Sequence, residues 1–448
     1  MREPIVAIAT PYGEGAIGII RLSGKNVLDI VKRFFKTKGQ IKPRYAHFGK
    51  LYDEEGEELD EGILIYYKAP NSYTGEDLVE LNLHGNPRIL KRALEVFLKA
   101  GVRLAEPGEF TKRAFLNGKL DLTQAEAVAE LISAKTELAR KVALKQLQGE
   151  LSRYIRPLRE SLLELLAYIE ADIEFDEEDI PTLTKEQVLE MVERVTKGIK
   201  ELLKTAKTGK FIREGIKLAI VGRPNVGKSS LFNALLKEER AIVTDIAGTT
   251  RDYIEETLQI REIPVKLIDT AGIRETEDVV EKIGVERSKQ KIEEADLILF
   301  VVDASSKITD KDLKIYEEIK NKEHIIVANK IDLGIKADLE IFKGKSIIKV
   351  SALKGEGLEN LSEEILKKIG LQLDESVNIY VSVRHETLLK KAKEVLEKFK
   401  EEYKIREISP EIAMLDLREA ADYLGEILGE ITTEDVLGKI FSTFCIGK

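Results

Sequence analysis

The stretch that most constrains this chain is Gly222–Ser229, GRPNVGKS, set between the apolar run IKLAIVG and the helix-like SLFNALL. Strand, glycine-rich turn and helix in that order make a loop whose backbone N–H groups wrap phosphate oxygens. Gly222 and Gly227 permit the turn, Lys228 reaches the outer phosphates and Ser229 offers a hydroxyl to Mg²⁺. The positive end of the helix beginning near Lys228 adds to the anion site. A segment of this kind calls for an α/β layer with a mostly parallel sheet, the phosphate site lying at its strand ends.

Taken alone, the pattern also fits an ordinary strand-to-helix turn, and three further pieces in the right order decide the matter. PVKLIDT delivers Asp269, Thr270, Ala271 and Gly272, where a carboxylate at a strand end can hold Mg²⁺ through water and a glycine N–H can face the outermost phosphate. HIIVANK ends in Asn329, Lys330, Ile331 and Asp332. An Asp in that place accepts two hydrogen bonds from the ring N–H and exocyclic amine of guanine, a pair that adenine does not offer. SIIKVSA brings Ser351 and Ala352, suited to present a backbone N–H to the guanine oxygen. With Thr250 of TDIAGTTRD, these elements resemble the G1 to G5 boxes of a GTPase. The nucleotide-binding candidates are therefore Asn225, Val226, Gly227, Lys228, Ser229 and Ser230, then Thr244, Asp245, Ile246, Ala247, Gly248, Thr249 and Thr250. Asp269, Thr270, Ala271, Gly272, Asn329, Lys330, Asp332, Ser351 and Ala352 complete them.

Composition bounds the rest. A chain of 448 residues has room for about three domains. Lys+Arg 71 against Asp+Glu 80, a net charge of -9, excludes a polycation that binds nucleic acid by charge alone, while leaving room for a local basic face. The single cysteine, Cys445, rules out an intramolecular disulfide and suits a reducing, cytoplasmic setting. The opening MREPIVAIATPYG has no uninterrupted apolar core, and no run approaches the ~20 residues that span a bilayer.

Read in order, residues 1–118 are expected to be an α+β domain. The runs IVAIAT, GAIGIIRLS, YAHFGKLYD, EGILIYYKA and DLVELNLHG read as strands, and RILKRALEVFLKAG as a helix ending at Gly101. By residue type alone, Arg21, Glu80, Arg113 and Lys119 read as solvated surface charges. Residues 119–210 turn helical, with Leu151, Ile155, Leu162 and Leu166, then Val188, Val192, Val195 and Ile199, at three- and four-residue steps. Pro157 should kink the first run or mark a boundary. Residues 211–372 alternate strand and helix, and helix resumes over 373–448. An α/β domain inserted between two helical stretches lets those stretches pack as one discontinuous bundle.

The switch region lacks one part. Ile273 stands just after DTAG, where Ras-like proteins place a Gln that orients the attacking water. Asn225, either a turn residue or a ligand for a monovalent cation, and the carbonyls of TDIAGTTRD suggest another means: a K⁺ that spreads the charge developing between the phosphates. A carboxylate beyond Gly272 can polarise water, and spacing leaves Glu275, Glu277, Asp278 and Glu281 as alternatives.

ATPYGEGAIGIIRLSG, SYTGEDLVELNLHG, PGEFTKRAFLNGKLDLTQAEA, the G boxes and the terminal DVLGKIFSTFCIGK together resemble the MnmE (TrmE) family of tRNA modification GTPases, over essentially the whole chain. One departure is HGNP at His84–Pro87, where the family has HGG. The resemblance implies an N-terminal domain that forms a homodimer and binds a 5-formyl- or 5,10-methylene-tetrahydrofolate, with Arg21, Glu80, Lys119 and Lys448 on matching positions. It also implies K⁺ held by Asn225, Thr244, Ile246 and Thr249, Mg²⁺ by Ser229 and Thr250, and Glu281 as the catalytic carboxylate. With the flavoprotein partner MnmG, such proteins add an aminomethyl or carboxymethylaminomethyl group to the wobble uridine of certain tRNAs. Cys445 sits in the terminal motif, where a small buried hydrophobe and a chemical role are both open. A different class, a GTP-switched ribosome- or RNA-binding module without modification chemistry, would need a basic, aromatic-rich RNA surface beside the G domain.

Overall fold

Alternating apolar runs at the N-terminus form the strands expected of them. In the computed structural model, which describes residues 3–174, 183–238, 256–269, 292–371, 379–405 and 410–448, the first sheet holds β1 (Ile5–Ile8), β2 (Gly15–Ser23), β3 (Phe35–Thr37), β4 (Ala46–Tyr52), β5 (Glu58–Tyr67), β6 (Leu78–Gly85) and β7 (Arg103–Leu104). Their order is β3-β4-β5-β6-β2-β1-β7, antiparallel except where β7 runs parallel to β1. Helices Val27–Phe34 and Pro87–Lys99 bury Val27, Val31, Leu90, Ala93, Val96 and Phe97 in a core with Ile20, Leu22, Leu64 and Leu81 of the sheet.

The chain divides into two compact units, Met1–Ile132 with Leu144–Gly198 and Leu388–Lys448, and Ser133–Ala143 with Ile199–Thr387. In the first, helices from either side of the inserted residues pack together as a discontinuous bundle. Helix Pro410–Leu428 lies along Glu150–Glu174, where Arg159 Nε donates to Ala421 O at 3.2 Å and Arg156 and Arg159 both pair with Glu430. Pro157 marks no boundary, because Glu150–Glu174 continues through it. Leu151, Ile155, Leu162 and Leu165 are buried along that helix, so packing of its apolar face outweighs the one backbone donor that proline removes.

The second unit holds β8 (Ile216–Val221), β9 (Glu256–Ile260), β10 (Ile263–Asp269), β11 (Leu297–Asp303), β12 (His324–Asn329) and β13 (Ile347–Lys349). The order is β13-β12-β11-β8-β10-β9, all parallel except β9, which runs antiparallel to β10. Apolar clusters cover both faces, one reaching helices Lys228–Glu238 and Leu358–Lys368 and the other Asp310–Ile319. Every residue of β11 and β12 is buried, which is why both read as continuous apolar runs. Among the described residues no helix is long and apolar enough to cross a membrane.

Arg113 corrects the expectation of a surface charge: it is only 2% exposed. Its guanidinium donates to Glu76 Oε2 at 2.9 Å, Glu109 Oε1 at 2.8 Å and the Glu3 carbonyl at 2.8 Å, so the desolvated charge is fully paired. Burial alone would push the Glu109 carboxyl up, but hydrogen bonds from Arg103, the Glu106 backbone and Arg113 hold it below the usual carboxylate range. Arg113→Met leaves Glu76 without its cation and Glu109 with Arg103 alone, and is expected to cost about 3–5 kcal/mol in denaturant unfolding. A loss under about 1 kcal/mol would show that the pairing does not hold this domain together.

Candidate functional site

The C-terminal ends of β8, β11 and β12 assemble the first site from their following loops. Buried Val226 anchors the P-loop in the core, while Asn225, Ser229 and Ser230 are exposed. Asn225 adopts left-handed backbone with φ +65°. Lys228 Nζ donates to the carbonyls of Gly222 and Arg223, each at 2.9 Å, which keeps the ammonium folded over the loop.

Asn329 ties the loops to one another. Its Nδ2 donates to Val226 O at 3.0 Å and its Oδ1 accepts from Ala352 N at 3.0 Å, so one buried side chain spans the P-loop and the SA loop. This approach requires glycine at 227, where φ is +95° and an added Cβ would lie 2.3 Å from Asn329 Nδ2. Lys330 Nζ donates to Asn225 O at 2.7 Å and to Asp303 Oδ2 at 2.8 Å, and Ser351 Oγ donates to Asp332 Oδ1 at 2.7 Å. The structure therefore brings Asn225, Val226, Gly227, Asn329, Lys330, Asp332, Ser351 and Ala352 into one network. Asp269 closes β10, in register with Ile220. Thr244, Asp245, Ile246, Ala247, Gly248, Thr249, Thr250, Thr270, Ala271, Gly272 and Glu281 lie outside the described residues, as do Glu275, Glu277 and Asp278.

Two parts of this site are not among the nucleotide-binding candidates read from the sequence. Asp303 ends β11; burial alone would raise its carboxyl, but hydrogen bonds from Lys330 and Ser305 outweigh that and hold it below the usual carboxylate range. Arg223 of the P-loop is tethered by Asp312 Oδ2 at 3.1 Å and Ser306 Oγ at 2.9 Å. An Asp closing the run LILFVVD and the cap-like Thr309-x-x-Asp312 are the signals that mark them.

A second cluster forms where the chain's end meets the first sheet. Register places Arg21 opposite Glu80, and Arg21 Nε donates to Glu80 Oε1 at 2.9 Å. The guanidinium lies over the rings of Phe110 at 5.7 Å and Tyr73 at 6.0 Å, and its Nη1 donates to Gly447 O at 3.0 Å. Both Arg21 and Glu80 are mostly buried, not solvated. Gly108 N and Phe110 N donate to the carbonyls of Cys445 and Lys448. Burial, then the nearby positive charge of Arg21, push the Lys448 ammonium below the ordinary lysine range, with Glu80 opposing. Lys119 stands apart from this pairing: it is exposed and donates to Pro70 O at 3.2 Å, in the segment that carries Tyr73. Cys445 is a free, exposed thiol, which removes the reading of a small buried hydrophobe.

Sequence comparison bears on both clusters. The profile described as GTP-binding protein TrmE N-terminus matches residues 4–119, and that described as MnmE helical domain matches residues 122–445. The tRNA modification GTPase MnmE of Aquifex aeolicus is 84% identical over 448 residues, covering 100% of both chains. That of Alkaliphilus metalliredigens is 48% identical over 100% of this chain and 99% of its own. The chain belongs to the MnmE family of tRNA modification GTPases. Its α/β unit is the GTP-binding G domain of an MnmE-family GTPase, with the loops above at its strand ends. The HGNP departure from the MnmE pattern is a well-formed helix start: Asn86 Oδ1 accepts from Arg88 N at 2.9 Å, and Pro87 takes the first helical position.

Asn329→Asp keeps the acceptor for Ala352 N but sets a carboxylate against Val226 O. It is expected to destabilise the nucleotide-free G domain by about 1–3 kcal/mol, read as an earlier unfolding transition. An unchanged transition would remove Asn329 as the strut between these loops.

Proposed function

We propose that this MnmE-family chain is a K⁺-stimulated GTPase that works as a homodimer in the cytoplasm. With an MnmG-type flavoprotein partner, it uses a 5-formyl- or 5,10-methylene-tetrahydrofolate one-carbon unit to add an aminomethyl or carboxymethylaminomethyl group to the wobble uridine of certain tRNAs. The domains are those suggested by the sequence: 1–118 for folate and dimerisation, 119–210 with 373–448 as the helical domain, and 211–372 as the G domain. The observation that carries the reading is the Asn329 strut, which sets Asp332 and Ala352 beside the P-loop in one rigid frame.

In this frame Asp332 accepts from guanine, Ala352 N donates to the guanine oxygen, and Lys228 with the loop N–H groups holds the phosphates. Ser229 and Thr250 would hold Mg²⁺. The exposed Asn225 fits a cation ligand, because Lys330 engages its backbone carbonyl and its side-chain amide makes no hydrogen bond among the described residues. Asn225, Thr244, Ile246 and Thr249 would hold K⁺, which supplies positive charge against the charge that builds between the phosphates. Glu281 acts as the carboxylate that polarises water. Arg21, Glu80, Lys119 and Lys448 would hold the folate: a carboxylate suits the amide-like edge of a pterin and the cations suit a glutamate tail, with Tyr73 beside them. Cys445, exposed beside this cluster, is available for chemistry there.

Two measurements test the reading. GTP turnover at fixed ionic strength is expected to be faster in KCl than in NaCl, and Asn225→Ala to lose that difference while keeping GTP affinity within about 1 kcal/mol. Equal wild-type rates in the two salts would end the K⁺ assignment. In calorimetry with 5-formyl-tetrahydrofolate, Glu80→Ala is expected to bind about ten- to a hundredfold more weakly, the worth of a charge-assisted hydrogen bond. Undiminished affinity would take Glu80 out of the site.

A further inference from the structure

Asp303 belongs to no motif that recognises nucleotide, yet three loops converge on it. It is the last residue of β11, in register with Asn329 of β12, and is only 9% exposed. Its Oδ1 accepts from Ser305 N at 2.9 Å and Ser305 Oγ at 2.6 Å, and its Oδ2 receives Lys330 Nζ at 2.8 Å. The same ammonium donates to Asn225 O at 2.7 Å, so one cation joins the loops that follow β8, β11 and β12.

We propose that Asp303 is a positioning residue for guanine nucleotide binding, acting through Lys330. Lysine is long and readily hydrated, and a single neutral carbonyl is a weak hold on it; the carboxylate fixes where the ammonium stays. The held ammonium in turn clamps the Asn225 carbonyl. Lys330 occupies left-handed backbone, φ +67°, which a side chain of its kind keeps only where its surroundings impose it, and Asn225, φ +65°, adopts the same region more readily. Asp303 thereby holds the phosphate-binding loop and the base-recognising loop in a common geometry before nucleotide arrives. Backbone bonds fix the end of β11 independently of this side chain, since Ala304 N donates to Asn329 O at 2.8 Å and Ala304 O accepts from Lys336 N at 2.7 Å. The proposal rests on the G domain alone and is independent of the K⁺ and folate assignments.

The test is a double-mutant cycle on the full-length protein, reading release of N-methylanthraniloyl-GDP by stopped flow. Asp303→Asn, nearly isosteric and still able to accept from Ser305, is expected to release the probe about tenfold faster. In the Lys330→Met background the same change is expected to add less than about twofold, because the route through the ammonium is already gone. Ser305→Ala, which touches only the other carboxylate oxygen, is expected to stay within about twofold of wild type. Unchanged release in Asp303→Asn, full multiplication of the two effects in the double variant, or a Ser305→Ala effect equal to that of Asp303→Asn would each overturn the proposal. Asp303→Ala, which likewise takes the carboxylate from Lys330, replaces Asp303→Asn in the cycle, with the same outcomes expected, if the latter does not fold.

Discussion

The nucleotide site depends on how closely the Asn329 amide approaches Gly227. A buried amide that donates to one loop and accepts from another is useful only if both loops come within hydrogen-bond reach, and at residue 227 there is no room for even one extra carbon. That tolerance is a property of the sheet. β11 and β12 are buried on both faces and paired in register from Ile298–His324 to Asp303–Asn329, so their last residues cannot shift without moving the core. Packing of Val, Ile, Leu and Phe side chains thus sets the polar geometry, and the hydrogen bonds convert it into specificity.

The G domain was legible because its chemistry and its fold share the same residues. Runs such as LILFVV and HIIVAN announce central parallel strands, and the glycines, Asn and Asp at their ends announce loops that bind something. Other features had no local signal. Helix Val27–Phe34 and β3 share the stretch VLDIVKRFFKT, too short for its period to stand out, and the helix begins after a left-handed Asn26 without a side-chain cap. Arg113 looks like any surface arginine until Glu76, far away in sequence, is brought against it. Asp303 was hidden in the same way: its partner Lys330 was already assigned to the guanine motif, and nothing in the spacing says that a lysine needs a carboxylate to hold it.

Pro157 illustrates a different failure. Local propensity puts a break there, and a helix in isolation would be weakened at that point. Here the buried stripe of Glu150–Glu174 and the length of Pro410–Leu428 beside it supply enough packing to carry the helix through. The partner helix comes from the far side of the inserted G domain. A decision that reads as local is therefore settled by residues more than two hundred positions downstream, information that no window of sequence contains.

The same non-local logic governs the cluster at Arg21. Two cations, Arg21 and Lys448, meet one carboxylate, Glu80, in a partly buried place, and the arrangement holds because the chain's last residues are fastened through the backbone at Gly108 and Phe110. Gly447 allows that docking: its φ is +99°, and an added Cβ would fall 2.5 Å from Ile8 O. Burial denies Lys448 some of the water that would stabilise its charge, Arg21 adds to that strain, and Glu80 opposes it.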